Sequence, residues 1–187
     1  MDSTYNFEGV EWIVSDTQGN EKKNIKVEDY FSWGTFDRPT KYVQCSLADQ
    51  ALRKCVFDSQ QFVECDFSRV DASDSLFINC LFLDCKFNNT NFGKTSFIGS
   101  AFVESLGNHS RKSNFDGAGM SEARFLASSK QKTVIINIKF HGLGFRHSVF
   151  NNVVIRNTTV DYCSFENALL DHCDIDLLKL DRSSCRG

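Results

Sequence analysis

Eight cysteines and four histidines are the residues of this 187-residue chain best suited to chemistry. Metal sites, disulfides and reactive thiols are all built from these two side chains. The closest groupings in the sequence are Cys163 with His172 and Cys173, and His141 with His147. Neither grouping has the paired C-x-x-C spacing of a structural zinc site, so we predict no metal and no cofactor.

Motifs for catalysis are missing as well. The sequence contains no G-x-S-x-G, no G-x-x-x-x-G-K-S and no H-E-x-x-H, the patterns of serine hydrolases, nucleotide-binding loops and zinc proteases. The chain has 24 acidic residues, but they fall at regularly recurring outward positions. Carboxylates at such positions come close together without any role in acid–base catalysis. The sequence thus predicts that the protein is not an enzyme.

Phenylalanine recurs on a five-residue period through most of the chain. From Phe57 the sequence reads CVFDS, QQFVE, CDFSR, VDASD, SLFIN, CLFLD, CKFNN, TNFGK, TSFIG, SAFVE, with a small residue two positions before most central ones. Helices bury residues at a period of 3.6 and strands at a period of 2, so neither explains a period of five. The period fits a coil that turns a corner after each repeat and stacks on its neighbours as parallel strands about 4.8 Å apart.

This pattern resembles that of the pentapeptide-repeat proteins, in which a small residue, a polar residue, a central Leu or Phe and two polar residues recur. The resemblance implies an all-β fold, a right-handed quadrilateral parallel β-helix with four repeats per coil. It covers residues 45–182. Here Cys, Ser or Thr is more frequent than Ala at the small position and Phe replaces Leu at the centre, which indicates a wider core filled by phenyl rings.

The cysteines at the small position are expected to be buried and reduced. Cys45, Cys65 and Cys85 are spaced by one coil and should stack in a column, where their Cα atoms would be close enough for a disulfide. Cysteine nevertheless alternates with Ser, Thr and Ala at this position, as a small buried residue does. The sequence has neither the basic and apolar pattern of a signal peptide nor an apolar run long enough to span a membrane. We therefore expect a cytoplasmic protein with free thiols.

Residues outside the repeat divide the chain. Residues 1–44 are predicted to cap the coil, with strands at 10–16 and 24–27 forming a hairpin around Gly19; Phe7, Phe31 and Phe36 lie outside the repeat. The segment 105–112, SLGNHSRK, is an insertion, and 126–132 should leave the ideal coil because Lys130 would otherwise be buried without a partner. Residues 183–187 form a short polar tail.

Charge is unevenly distributed along the repeat. Residues 105–147 carry 2 acidic and 7 basic residues, a net charge of +5, whereas 43–104 and 148–187 carry net charges of −3 and −2. The irregular segments hold much of the positive charge. We predict a non-catalytic scaffold that binds a partner protein through its faces and its inserted loop. The candidate binding residues are Leu106, Asn108, His109, Arg111, Lys112, Lys130 and Lys132.

Two alternatives follow from the resemblance and from the charge. Some pentapeptide-repeat proteins bind type II topoisomerases such as DNA gyrase as acidic DNA mimics and protect them from quinolones or peptide toxins. These members also dimerise through their C-terminal coils. The low net charge of −3 and the basic middle argue against mimicry here. Weak nucleic-acid binding by the basic middle is the other alternative, and a poor one, because the aromatic residues are expected inside. A homodimer would use Leu170, Ile175, Leu177, Leu178 and Leu180.

Overall fold

The computed structural model describes residues 3–7, 10–14, 19–23, 35–103, 118–128, 131–141, 143–176 and 179–181. The described residues form strands and turns. The strands are β1 Ser3–Phe7, β2 Val10–Val14, β3 Glu21–Lys23, β4 Thr35–Phe36, β5 Lys41–Val43, β6 Val56–Asp58, β7 Gln61–Val63, β8 Leu76–Ile78, β9 Leu81–Leu83, β10 Ser96–Ile98, β11 Ala101–Val103, β12 Arg124–Leu126, β13 Thr133–Ile136, β14 Lys139–His141, β15 Val149–Asn151, β16 Val153–Arg156, β17 Thr159–Asp161, β18 Leu169–Asp171, β19 Asp174–Asp176 and β20 Lys179–Asp181. None of these residues belongs to a helix able to cross a membrane.

The strands stack into a four-sided solenoid. Face A is the sheet β18-β15-β12-β10-β8-β6-β4, and face B is the sheet β19-β16-β13-β11-β9-β7-β5-β3. Face C holds the sheet β14-β17-β20 and, nearer the N-terminus, the bridges that join Ser46, Asp66 and Lys86. Face D is held by bridges from Ala51 to Ser164. Strands in consecutive coils are parallel, so the predicted β-helix is confirmed.

Phenyl rings fill the interior in columns. Phe57, Phe77 and Phe97 stack along face A, with centroid separations of 4.8 and 5.3 Å. The neighbouring column on face B meets them edge to face, as Phe82 does with Phe77 at 5.3 Å and 69°. Both arrangements suit the ring quadrupole. The central residues are nearly all buried, and this confirms the five-residue register predicted from the sequence.

The small residue before each centre acts as a hydrogen-bond donor. Ser75 Oγ donates to the carbonyl of Leu52 at 2.6 Å, and Thr90 Oγ1 donates to that of Phe67 at 2.7 Å. A weaker bond runs from Cys80 Sγ to the carbonyl of Phe57 at 3.4 Å. In each pair the acceptor is the backbone carbonyl of a central residue in the preceding coil. The Leu52 and Phe67 carbonyls also accept bonds from the Cys55 and Val70 amides, so each side-chain donor adds a second bond that alanine could not make.

Most corners of the described coils are residues with positive φ, two positions after the centre. Asp49 has φ 66°, Asn79 has φ 50° and Asn152 has φ 54°. Asn and Asp tolerate this left-handed conformation better than other side chains do, and they occupy many of the corners. Gly99 is the corner where a side chain would not fit, since a Cβ built there would lie 2.5 Å from Ser128 Oγ and 2.7 Å from Asn79 Oδ1.

The N-terminal region differs from the hairpin predicted between 10–16 and 24–27. Val10–Val14 pairs instead with Ser3–Phe7 in an antiparallel hairpin, and 24–27 lies outside the described residues. The solenoid also starts before residue 45. Strands β3 and β4 already belong to faces B and A, and the Phe36 ring stacks on Phe57 at 5.0 Å. Placing Phe36 outside the repeat was therefore wrong, because its spacing of 21 residues to Phe57 hid its position in the column.

The spacing of central residues changes after β12. Central residues step from Phe125 on face A directly to Ile135 on face B. The intervening chain is tied to the corner beside it: Gln131 Nε2 donates to the Gly99 carbonyl at 2.8 Å, and the Ser128 amide donates to the Gln131 carbonyl at 2.8 Å. Gly99 thus makes room for this bypass.

Candidate protein-binding surfaces

The outer side of face A carries a strip of apolar residues, with polar residues such as Ser96 and Asn151 beside them. Its strands place one central phenyl ring inside and the two flanking residues outside. The outward residues Val56, Leu76, Ile78, Ile98, Leu126 and Val149 are all half-buried, and Leu169 at the C-terminal end is 55% exposed. Six parallel strands stacked about 4.8 Å apart make this apolar strip about 24 Å long. It is a flat and rigid surface, because every strand is hydrogen-bonded to its neighbours.

Outward positions on face D have a different composition. They are Ala51, Asp71, Asn91, Gly119, Gly144 and Ser164 before the centres, and Arg53, Ser73, Gly93, Ser121, Arg146 and Glu166 after them. The fold therefore does not demand large apolar residues outside. A strip of neighbouring apolar residues on a solenoid face marks a binding surface better than single exposed residues do.

Sequence reasoning missed this strip, although the sequence contains its signal. The pattern gives polar residues at the positions flanking each centre, yet SLFIN has Leu76 and Ile78 there and TSFIG has Ile98. These positions all belong to the same quarter of successive coils. Grouping the flanking residues by quarter of the coil would have identified the face.

The acidic residues do not form one continuous face among the described residues. Asp58 and Asp171 are in the same column of face A, but Ile78, Ile98 and Leu126 separate them. Other carboxylates pair with cations of the adjacent coil. These pairs are Asp49 with Arg69 at 2.6 Å, Asp74 with Arg53 at 3.0 Å, Glu122 with Lys94 at 4.0 Å, Glu166 with Arg146 at 3.5 Å and Asp174 with Arg156 at 2.5 Å.

Such exposed pairs add little to stability, but they neutralise charge along the corners. Hydrogen bonding to Arg156 is the main cause that lowers the pKa of Asp174, so this carboxylate stays ionised beside its cation. A duplex mimic needs uncompensated negative charge in regular rows. At the corner that follows face D, cations and carboxylates instead alternate from coil to coil, as Arg53 with Asp74 and Lys94 with Glu122 show.

The described cations of the basic middle lie on different faces. Arg124 is exposed on face A, Lys139 is in the face C strand β14, and Arg146 is on face D. They do not form a single patch that could follow a nucleic-acid backbone. Of the predicted binding residues, Lys132 is exposed in the bypass between faces A and B. The remaining six, Leu106, Asn108, His109, Arg111, Lys112 and Lys130, lie outside the described residues.

The C-terminal coil leaves central residues exposed. Leu170 is 44% exposed and Ile175 is 40% exposed, whereas the residues that precede them in their columns, Phe150 and Ile155, are 2% and 6% exposed. The structure thus brings two of the five predicted dimer residues together at one end. Leu177 and Leu178 lie outside the described residues, and Leu180 lies in strand β20.

The chemistry-bearing residues are dispersed in the described part of the chain. Its seven cysteines are free thiols, and no group of three or more His, Cys, Asp or Glu side chains is arranged to hold a metal ion there. Cys163 is buried, while His172 is exposed at a corner beside Asp171. Burial is the main cause that raises the pKa of the Cys80 thiol, which keeps it protonated and unreactive.

Comparison with known proteins gives limited likenesses. The family model of the SV2A/B/C luminal domain matches residues 26–106, less than half of the chain. No curated protein matches significantly. Solved structures similar to this chain include a trypsin-treated form of QnrB1, a plasmid-mediated fluoroquinolone resistance protein (15% identity, 86% of this chain and 82% of that chain, TM-score 0.45).

Another is HetL, a pentapeptide repeat protein involved in heterocyst differentiation regulation from the cyanobacterium Nostoc (12% identity, 87% of this chain and 84% of that chain, TM-score 0.30). A third is a pentapeptide repeat protein from the cyanobacterium Cyanothece (9% identity, 65% of this chain and 64% of that chain, TM-score 0.30). Likenesses at this level say nothing about what this chain binds. The five-residue repeat of this chain, and the stacked four-sided coils that the repeat forms, show that it has a parallel β-helix fold built from five-residue repeats.

Proposed function

We propose that this protein is a non-catalytic scaffold, in a reducing compartment such as the cytoplasm, that binds a partner protein through the outer side of face A. The observation that carries the proposal is the strip of apolar residues at outward positions of that face. Removing such residues from water is the main source of affinity in protein–protein association. The solenoid holds them in fixed positions, so little conformational entropy is lost on binding.

The size of the strip sets what else the interface needs. The six strands of face A offer an outer surface about 24 Å long and about 10 Å wide, or about 240 Å², and the apolar strip is about half of it. A stable protein interface buries about 800 Å² on each partner. The partner must therefore also contact the polar residues of face A, such as Asp58, Arg124 and Asp171, and the rim around the face. We propose that the insertion 105–112 and Lys132 contribute to this rim.

Paired substitutions on two faces test the proposal. Ile78→Asp with Ile98→Asp places two charges in the middle of the strip, where an interface would have to desolvate them. The control, Ala51→Asp with Ser121→Asp, adds the same charge to face D. In affinity capture from the source cell, the wild type and the control should enrich the same protein, and the face A variant should lose it by about tenfold or more. Equal enrichment by both variants would contradict the proposal, provided all three proteins have the same thermal unfolding temperature.

Topoisomerase binding by DNA mimicry is the alternative function. It requires a continuous acidic surface, and the described residues do not favour one, because ion pairs and apolar residues interrupt the carboxylates. DNA gyrase supercoiling, measured over a titration of the protein with and without a quinolone, separates the two functions. Inhibition or protection at micromolar concentration would support the alternative, whereas face A binding to another partner leaves the reaction unchanged.

A second copy of the chain is our proposed occupant of the C-terminal end. The exposed side chains of Leu170 and Ile175 would continue their columns into the partner's last coil. Light scattering over a concentration series should show a dimer that Ile175→Asp dissociates. A mass of 21.2 kDa for the wild type at the highest concentration would rule this dimer out.

A further inference from the structure

The outer side of face B is covered, unlike that of face A. Leu81, Ala101, Val134 and Val154 point outward, since they flank the inward-facing central residues. Their exposed fractions are nevertheless 0%, 0%, 1% and 4%. Together with Val103 and Ile136 they form an apolar cluster separate from the interior of the solenoid. Side chains on an open sheet face keep a substantial exposed fraction, as Ile78 and Ile98 do on face A.

We propose that the β1–β2 hairpin lies on the outer side of face B and covers this cluster as a second layer. A two-stranded hairpin is at best marginally stable alone and needs an apolar face to pack against. The register pairs Tyr5 with Trp12 and Phe7 with Val10. Paired positions share one side of an antiparallel ribbon. The sequence therefore gives the hairpin one side with four large apolar residues, and face B offers the complementary surface.

The dimensions of the two surfaces agree. The covered rows run from Gln61, which is 2% exposed, through Leu81, Ala101 and Val134 to Val154. Four steps of about 4.8 Å give a length of about 19 Å. Each hairpin strand has five residues, a length of about 17 Å at 3.4 Å per residue. The two strands, about 4.8 Å apart, also match the two outward columns of face B in width.

The connection to the solenoid permits this position. After the hairpin, the chain enters the solenoid at β3, the first strand of face B itself. The covered rows begin two strands away, at β7, about 10 Å along the axis. The six residues 15–20 can span up to about 20 Å. The hairpin therefore reaches the cluster without crossing another face.

Other segments fit less well. The connection between β3 and β4 is one residue shorter than 44–55, the segment that carries the chain from β5 past faces C and D to β6, so it has no length to spare for covering face B. The insertion 105–112 starts near β11 on the same face, but its sequence SLGNHSRK offers one large apolar residue, Leu106, against four on the hairpin. Its cations would be costly to place against buried valines.

Methyl NMR of the full chain tests the arrangement without disturbing the solenoid. Ring currents from an indole shift methyl resonances that it touches. We expect Trp12→Ala to change the resonances of Leu81, Val134 and Ile136 and to leave those of Ile78 and Ile98 on face A unchanged. Changes confined to face A, or no changes, would overturn the proposal.

A second measurement uses fluorescence and hydrogen exchange. Trp12 and Trp33 are the two tryptophans of the chain, so Trp33→Phe isolates the emission of Trp12. In that background Val134→Asp should move the emission to the red and speed amide exchange in the hairpin by about tenfold or more. Ile98→Asp on face A is the matched control and should do neither. If deletion of 105–112 causes the changes and Val134→Asp does not, the insertion covers face B and the proposal is wrong.

Discussion

Replacement of Phe82 by alanine is expected to lower the free energy of unfolding by about 3–5 kcal/mol. Its ring lies in the middle of the stack, 5.3 Å from Phe62 and 4.8 Å from Phe102 in its own column. It also meets Phe77 and Phe97 of face A edge to face. Backbone ladders hold the surrounding coils at a fixed spacing, so they cannot collapse into the cavity. Urea unfolding measures the effect.

Phe36→Ala is the matched control for this cavity. Phe36 is half-buried at the N-terminal end of the face A column, where it stacks on Phe57. The same deletion of a phenyl ring there removes less contact, and we expect a loss of about 1–2 kcal/mol. A loss below about 1 kcal/mol for Phe82→Ala would show that its ring is not inside, and the five-residue register would then be wrong.

Gly99→Ala is expected to destabilise the protein by about 2–4 kcal/mol. Gly99 has φ +58°, and its added Cβ would lie 2.5 Å from Ser128 Oγ and 2.7 Å from Asn79 Oδ1. The left-handed backbone costs about 1 kcal/mol for alanine, and overpacking typically costs about 1–3 kcal/mol more. Ser128 also bonds to Gln131, so moving it away loosens the bypass between faces A and B.

Gly144→Ala provides the comparison for this effect. Gly144 is outside the left-handed region, and nothing lies within 4 Å of a Cβ built there. Alanine at such a site is expected to be neutral or to stabilise by up to about 1 kcal/mol, through the unfolded chain. Equal unfolding midpoints for the two variants would mean that the bypass does not pack against the Gly99 corner.

The sequence predicted the interior well because the interior is periodic. A large residue every fifth position can be buried only by a coil with a corner in each repeat, so Phe82 or Phe97 could be placed from the pattern alone. The prediction was wrong at two places where the five-residue period is interrupted. Phe36 is one residue out of phase with its column, and the partner of Val10–Val14 was misassigned because β propensity does not specify which strands pair.

The five-residue period alone does not reveal the candidate surface, because the flanking residues must also be grouped by their quarter of the coil. Position within the five-residue repeat determines whether a residue points in or out. Which outward residues become neighbours depends on how successive four-sided coils stack. Ile78, Ile98 and Leu126 are far apart in sequence and adjacent in space. The sequence analysis placed most of the binding residues in the insertion instead, because the positive charges there are visible in the sequence. Segments that cover a face, as proposed for β1–β2 on face B, leave no trace in the period.

Side-chain footprinting of the captured complex shows whether the partner covers face A. Hydroxyl radicals oxidise accessible Leu and Ile side chains, and mass spectrometry locates the products. In the free protein Leu76, Ile78, Ile98 and Leu126 should be modified, because all four are half-exposed on face A. We expect partner binding to protect these residues from oxidation. The oxidation of Leu170 and Ile175 should stay unchanged when the oligomeric state is held constant. Unchanged modification of face A in the complex, with protection elsewhere, would contradict binding through face A.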